Sequence, residues 1–231
     1  MSVVEHLTEL RDRLFKAILA VVVGAVICFA LYDPILEILI QPYREVTGKD
    51  TFYITKPLEG FSARLKVASY GGFLLGSPVV LWQLWRFITP GLHRKEKRFA
   101  IPFVAASVAL FTMGAALALV TFPKALGFVV EISGDNVETL FSPAEYITFI
   151  LRVTIGFGIA FELPILLVFL QLAGIVSSSQ LLKGWRWAVV GVFAAAAIIT
   201  PSQDPFTLLA MAGPMSLFYF GAVLIGRLLK R

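Results

Sequence analysis

The chain has 231 residues, 58% of them apolar and 15% charged, with a mean hydropathy of +0.84 and a formal net charge of +5. This balance excludes an ordinary soluble domain and indicates a polytopic membrane protein, in which excess Lys and Arg marks cytoplasmic loops rather than nucleic-acid binding. The single cysteine, Cys28, lies in an apolar run and excludes an internal disulfide and CxxC chemistry.

The opening stretch "SVVEHLTELRDRLFK" sets Val3, Leu7, Leu10 and Leu14 along one helical face and Glu5, Glu9, Arg13 and Lys16 along another. That pattern predicts an amphipathic cytoplasmic arm over residues 1–13. Glu9 and Arg13 are spaced as an exposed i,i+4 pair, worth roughly 0.2–0.5 kcal/mol. The following "AILAVVVGAVICFALY" imitates a signal peptide, but no convincing small-residue cleavage site follows and more apolar runs come after. A retained first span over about 14–31 is expected.

Further apolar runs cover about 67–88, 101–122, 147–173, 187–200 and 206–225. A helix needs roughly 20 residues to cross the hydrocarbon core. The fifth run falls short, and Gly213-Pro214 interrupts the sixth. The expected fold is therefore an all-α membrane protein, a single polytopic domain over 1–231 with six transmembrane helices. Its fifth and sixth helices are short, accommodated by bilayer thinning or by longer neighbours. "TPSQDP" joins those two as a hairpin. Two long connections, "QPYREVTGKDTFYITKPLEGFSARLK" and "PKALGFVVEISGDNVETLFSPAEY", are predicted to fold as an extracytoplasmic cap. No internal repeat is visible, which argues against the architecture of many secondary transporters.

Basic residues set the orientation. The arm (Arg11, Arg13, Lys16), the loop "HRKEKR", the fourth loop (Lys183, Arg186) and the tail (Arg227, Lys230, Arg231) carry twelve. The opposite side has Arg44, Lys49, Lys56, Arg64 and Lys66 in its first loop and Lys124 in its second. Both termini are expected in the cytoplasm, with the first outer loop an exception to the bias.

His6 and His93 have no second His or Cys at ligand spacing, and HExxH, GxSxG, Walker and GxGxxG patterns are missing from the sequence. No metal, cofactor or catalytic residue is expected, and the chain is not read as an enzyme. Glu96 sits alone among the cations of "WRFITPGLHRKEKR", where local charge balance accounts for it. Yet Glu9 and Glu96 share one membrane face, and two carboxylates suit guanidinium groups, each of which donates two parallel hydrogen bonds.

Glu162, within "GFGIAFELPILLVFLQLAG", differs in kind. A charge at a helix centre costs about 3 kcal/mol on insertion scales, so this acid must be protonated, paired or wetted. Thr148 and Gly158 lie within about 40° of it on the helix, a small, polar face suited to another helix or a water-filled recess. Arg152 is about 15 Å away along the same helix, too far to pair with it. Pro164 leaves the Ala160 carbonyl without a donor. A protonated acid joining two helices is the plain structural role, but an ionisable residue at membrane depth points more strongly to function.

Several segments together resemble the TatC family, the polytopic subunit of the twin-arginine protein translocase. They are "EHLTELRDRL", "SPVVLWQLWRFITPGLHRKEKR", "GFGIAFELPILL" and "TPSQDPFTLLAMAGPM", in order over nearly the whole chain. The resemblance implies a signal-peptide receptor and core subunit that moves folded proteins across the cytoplasmic membrane using the protonmotive force. It also implies TatA- and TatB-type single-span partners, signal peptides bearing an arginine pair, and self-association in a larger complex within the bilayer.

By the same resemblance, Glu9 and Arg11 match the family's pre-helix motif, and Phe87, Pro90, Leu92 and Glu96 its loop motif. Glu9, Arg11, Phe87, Leu92 and Glu96 are the implied signal-peptide residues. Glu162 matches the buried acid of the fourth helix, implied to make a polar contact with a partner's helix. Pro42, Pro90 and Asp204 are implied structural or assembly residues. "TPSQDPFT" departs from the family in lacking the glutamine often found after that acid, and its spacing to Pro214 is longer. Two rivals, a proton-coupled small-molecule transporter with Glu162 as relay and an intramembrane enzyme, lack a repeat and a second intramembrane reactive group respectively.

Overall fold

The arm and the first span form one uninterrupted helix, because no glycine or proline separates the amphipathic turns from the apolar ones. The computed structural model describes residues 3–54, 56–88, 100–134, 141–200 and 204–228. Among these the helices are α1 (Val3–Ala30), α2 (Tyr32–Thr47), α3 (Glu59–Ile88), α4 (Ala100–Ile132), α5 (Pro143–Ala160), α6 (Leu163–Leu172), α7 (Ser178–Lys183), α8 (Trp185–Ile199) and α9 (Pro205–Leu228). Five stretches are long and apolar enough to cross a membrane: Glu5–Ala30, Glu59–Ile88, Ile101–Ile132, Pro143–Leu172 and Pro205–Leu228. At 15 residues α8 is shorter, as expected of the fifth span. With 24 residues α9 is a full-length span, so the expected short sixth helix is not found: Pro214 is accommodated inside α9 without ending it.

The first long connection holds a helix rather than only turns. Asp33 and Pro34 open α2, and Gly48, at φ 66°, closes it by donating to the Arg44 carbonyl. That left-handed closure is natural for glycine. Pro42 lies inside α2. Leu39, Ile40 and Tyr43 form its buried face, where Tyr43 meets Phe52, Phe141 and Tyr146 in an aromatic cluster. The Tyr146 hydroxyl donates to the Leu39 carbonyl at 2.6 Å, and the Ser142 hydroxyl donates to Glu59. These bonds fasten the cap to α3 and α5. Both α3 and α4 run past their apolar stretches to reach it.

The fourth span is two helices. Pro164 cannot donate to Ala160, and the chain closes instead with a tighter turn in which Glu162 N–H reaches the Ile159 carbonyl at 3.0 Å. Downstream, Ser177 and Gln180 form a reciprocal capping box at the start of α7. The carboxylate of Asp204 accepts the Thr207 amide at 2.7 Å and so caps α9. A Cβ at Gly156 would collide with Ile199, so α8 ends level with Gly156. At 1.5 Å per residue this lies about 20 Å below the start of α5. The last hairpin is thus recessed from the cap.

Glycines set the helix spacing. A Cβ on Gly72 would lie 2.5 Å from Ala25 N, one on Gly24 2.7 Å from the Gly72 carbonyl oxygen, and one on Gly76 3.1 Å from Val21 N. Gly72 and Gly76 stand one turn apart on α3, the small-xxx-small spacing that lets membrane helices approach closely. Packing of α1 depends on this seam: only 11% of its apolar window is buried.

Candidate functional site

Two carboxylates occupy distinct places. At the arm end of the bundle, Glu9 projects from α1 toward α3. Its side chain is 20% exposed and is paired with Arg13, 16% exposed, one turn further on. The i,i+4 pair is therefore present but half-buried rather than exposed. Glu9 Oε2 lies 3.9 Å from His6 Nδ1 and has no hydrogen-bond partner, although water does not reach it. The His6 ring stacks on Phe87 of α3, with centroids 4.5 Å apart and planes 16° from parallel. Beside this stack runs a largely apolar groove lined by Leu10, Leu14, Ala17, Val80, Leu84 and Phe87, with Arg13 and Gln83 as its polar members.

Of the implied signal-peptide residues, the structure brings Glu9 and Phe87 together, with His6 between them. Arg11 points away: its side chain is 77% exposed and pairs with its neighbour Asp12 at 3.0 Å. Two residues of helix turn a side chain by about 200°, so Arg11 and Glu9 cannot share a face. Leu92 and Glu96, like Pro90, lie outside the described residues. In the sequence His6 stands out only as a histidine without a second ligand at metal spacing. Its i,i+3 spacing to Glu9 was the available signal, but the stack on Phe87 depends on tertiary packing.

Inside the bundle, Glu162 occupies the joint between α5 and α6, not the centre of a continuous helix. It is half-buried, and its Oε1 is buried with no hydrogen-bond partner. The neighbouring polar group is the Ser107 hydroxyl of α4, which in turn accepts from Trp85 Nε1 of α3 at 2.6 Å. The expected small face beside Glu162 is already used: the Phe111 ring of α4 seats on Gly158. A buried acceptor without a donor leaves about 1–3 kcal/mol of desolvation cost outstanding, which an incoming donor would relieve. Asp204, fully buried, serves as the α9 cap described above, and Pro42 sits within α2 of the cap. Among the described residues no cluster of His, Cys, Asp and Glu could hold a metal ion.

Spans of this length, a recessed last hairpin with one short helix, and two separated carboxylate sites define a polytopic helical membrane protein. The family model for TatC, the Sec-independent protein translocase protein, matches residues 5–214. A TatC of Synechocystis sp. is 42% identical, with all of this chain and 90% of the relative covered. One from Frankia casuarinae is 38% identical, with all of this chain and 67% of the relative covered. The crystal structure of the twin-arginine translocase receptor TatC superimposes with a TM-score of 0.80 at 37% identity, over 98% of this chain and all of that one. The chain belongs to the TatC family.

Proposed function

We propose that this chain is the signal-peptide receptor and core subunit of a twin-arginine translocase, moving folded proteins across the cytoplasmic membrane on the protonmotive force. One observation carries the reading: a half-buried carboxylate, Glu9, keeps an oxygen without a hydrogen bond beside the His6–Phe87 stack and an apolar groove. An arginine supplies the planar charged donor for that oxygen, and the apolar part of a signal peptide suits the groove. In this reading Glu96 completes the carboxylate pair and Leu92 contributes to signal-peptide binding. Both termini lie in the cytoplasm, supported by the twelve basic residues of that side.

The test is binding of the protein, in nanodiscs, to a signal peptide carrying an arginine pair and to its twin-lysine version. Arginine should win by about tenfold or more, because an ammonium cannot make the forked bond. The preference should shrink in high salt. Equal binding of the two peptides overturns the reading.

Partners are single-span proteins of the TatA and TatB type, with further copies of this chain in the complex. Glu162 is the polar contact for a partner's transmembrane helix, supported by its buried Oε1, which has no hydrogen-bond partner among the described residues. Glu162→Ala is expected to cut crosslinking to the partner helix severely while leaving peptide binding near its starting value. An unchanged crosslinking yield would refute this role.

A further inference from the structure

We propose that the seam between α3 and α5, on the cap side of the bundle, binds the phosphate of an anionic phospholipid, with Lys66 and Arg152 as its cationic anchors. The cap-side cations separate by partner. Arg44 pairs with Glu37 and, at 3.2 Å, with Asp50. Arg64 pairs with Asp33 at 3.5 Å and lies over the Tyr32 ring. Lys66 and Arg152 meet no carboxylate among the described residues. Lys66 Nζ donates to the Ala144 carbonyl at 3.0 Å, and Arg152 Nε donates to the Tyr70 hydroxyl at 3.4 Å.

These groups form one stripe. Lys66 and Tyr70 are a turn apart on α3, as are Ala144, Thr148 and Arg152 on α5, so a lysine stands above and an arginine below with two hydroxyls between. At 1.5 Å per residue Ala144 and Arg152 are about 12 Å apart, a gap that two long side chains narrow from both ends. Gly71, beside Tyr70, packs on Cys28, close to where α1 ends at Ala30. Arg64, against Tyr32 at the start of α2, is about 9 Å higher on α3. Arg152 therefore sits just inside the membrane surface, within snorkelling reach of headgroups.

Arg152 is exposed, and with Nε on Tyr70 its two terminal nitrogens have no hydrogen-bond partner among the described residues and can fork onto a phosphate. Below it the same face of α5 continues with Ile155 and Ile159, the latter 53% exposed. Cations above and an apolar track below match the phosphate and acyl chain of one amphiphile. A free anion would make no use of the track. In the orientation proposed above, the lipid lies in the outer leaflet.

The experiment is native mass spectrometry of the protein titrated with phosphatidylglycerol or with phosphatidylcholine of the same acyl chains. It needs no signal peptide, so it can fail independently of the receptor function. Expected are preferential retention of phosphatidylglycerol by the wild type, loss of that preference in the Lys66→Gln, Arg152→Gln double variant, and its survival in Arg64→Gln. Arg152→Lys, which keeps the charge but not the fork, should retain an intermediate preference and shows that loss in the double variant is not misfolding. Equal retention of the two lipids by the wild type overturns the proposal, as does an undiminished preference in the double variant. Retention of an acid-bearing transmembrane peptide in place of phosphatidylglycerol, lost in the double variant, also overturns it by making the occupant a protein.

Discussion

Glu9→Ala is expected to weaken binding of an arginine-pair peptide by about 10- to 100-fold, the ~1.5–3 kcal/mol of a hydrogen bond to a charged group. Two effects combine. The peptide guanidinium loses its acceptor, and Arg13, half-buried against Glu9, becomes an unpaired cation that repels the incoming arginine. Glu9→Gln separates them, because it keeps an acceptor oxygen and the shape while removing the charge. Its loss should therefore be smaller than that of Glu9→Ala but still clear of the error of a titration. Calorimetry or fluorescence anisotropy with a labelled peptide measures both. Wild-type affinity in Glu9→Ala would remove Glu9 from the recognition surface.

Gly72→Ala is expected to be the most damaging small substitution in the bundle. The added methyl would approach backbone atoms of Ala25, which no rotamer change can relieve, so α1 and α3 must separate. Overpacking of this kind costs about 1–3 kcal/mol, and separation also forfeits the contacts along the seam. A lowered melting temperature in detergent is one readout, and weaker peptide binding is the second, since Glu9 rides on α1 and Phe87 on α3. Gly221→Ala is the control. Nothing lies within 4 Å of a Cβ there, and alanine favours a helix over glycine by roughly 0.5–1 kcal/mol. Equal melting temperatures for the two variants would show that the seam is not a close contact.

Much of this was legible in the chain, and the misses share a cause. Apolar runs locate the parts of helices inside the bilayer and are blind to the same helices outside it, which is why α3 and α4 run beyond them. The helix α2 escaped because Pro34 and Pro42 punctuate it and the charged Asp33, Glu37, Arg44 and Glu45 keep its apolar residues from forming a span-length run. Pro164 correctly marked a freed carbonyl at Ala160, but periodicity alone did not convert that into a break at Glu162. For Asp204, the aspartate-proline step followed by Thr207 was a helix-start signal, and the structure shows the cap it makes. At the arm, spacing revealed the Glu9–Arg13 pair. Its burial and the part played by His6 came from Phe87, eighty residues away in the chain.

The unbroken α1 has a mechanical consequence. It is a 28-residue rod that touches α3 most closely at its glycine seam, around Val21 to Cys28, and carries Glu9 about 22 Å from Gly24 at the other end. Geometry makes it a lever with the seam as fulcrum: a tilt of about 5° there sweeps Glu9 through about 2 Å. Such a sweep is comparable to the difference between a made and a broken hydrogen bond, and the shorter arm beyond the seam, about 9 Å to Ala30, carries an opposite displacement of about 0.8 Å into Leu31 and the start of α2. Force applied where the arm meets a peptide is delivered along an unbroken helix to the turn at Leu31, where the cap begins on the far side of the membrane.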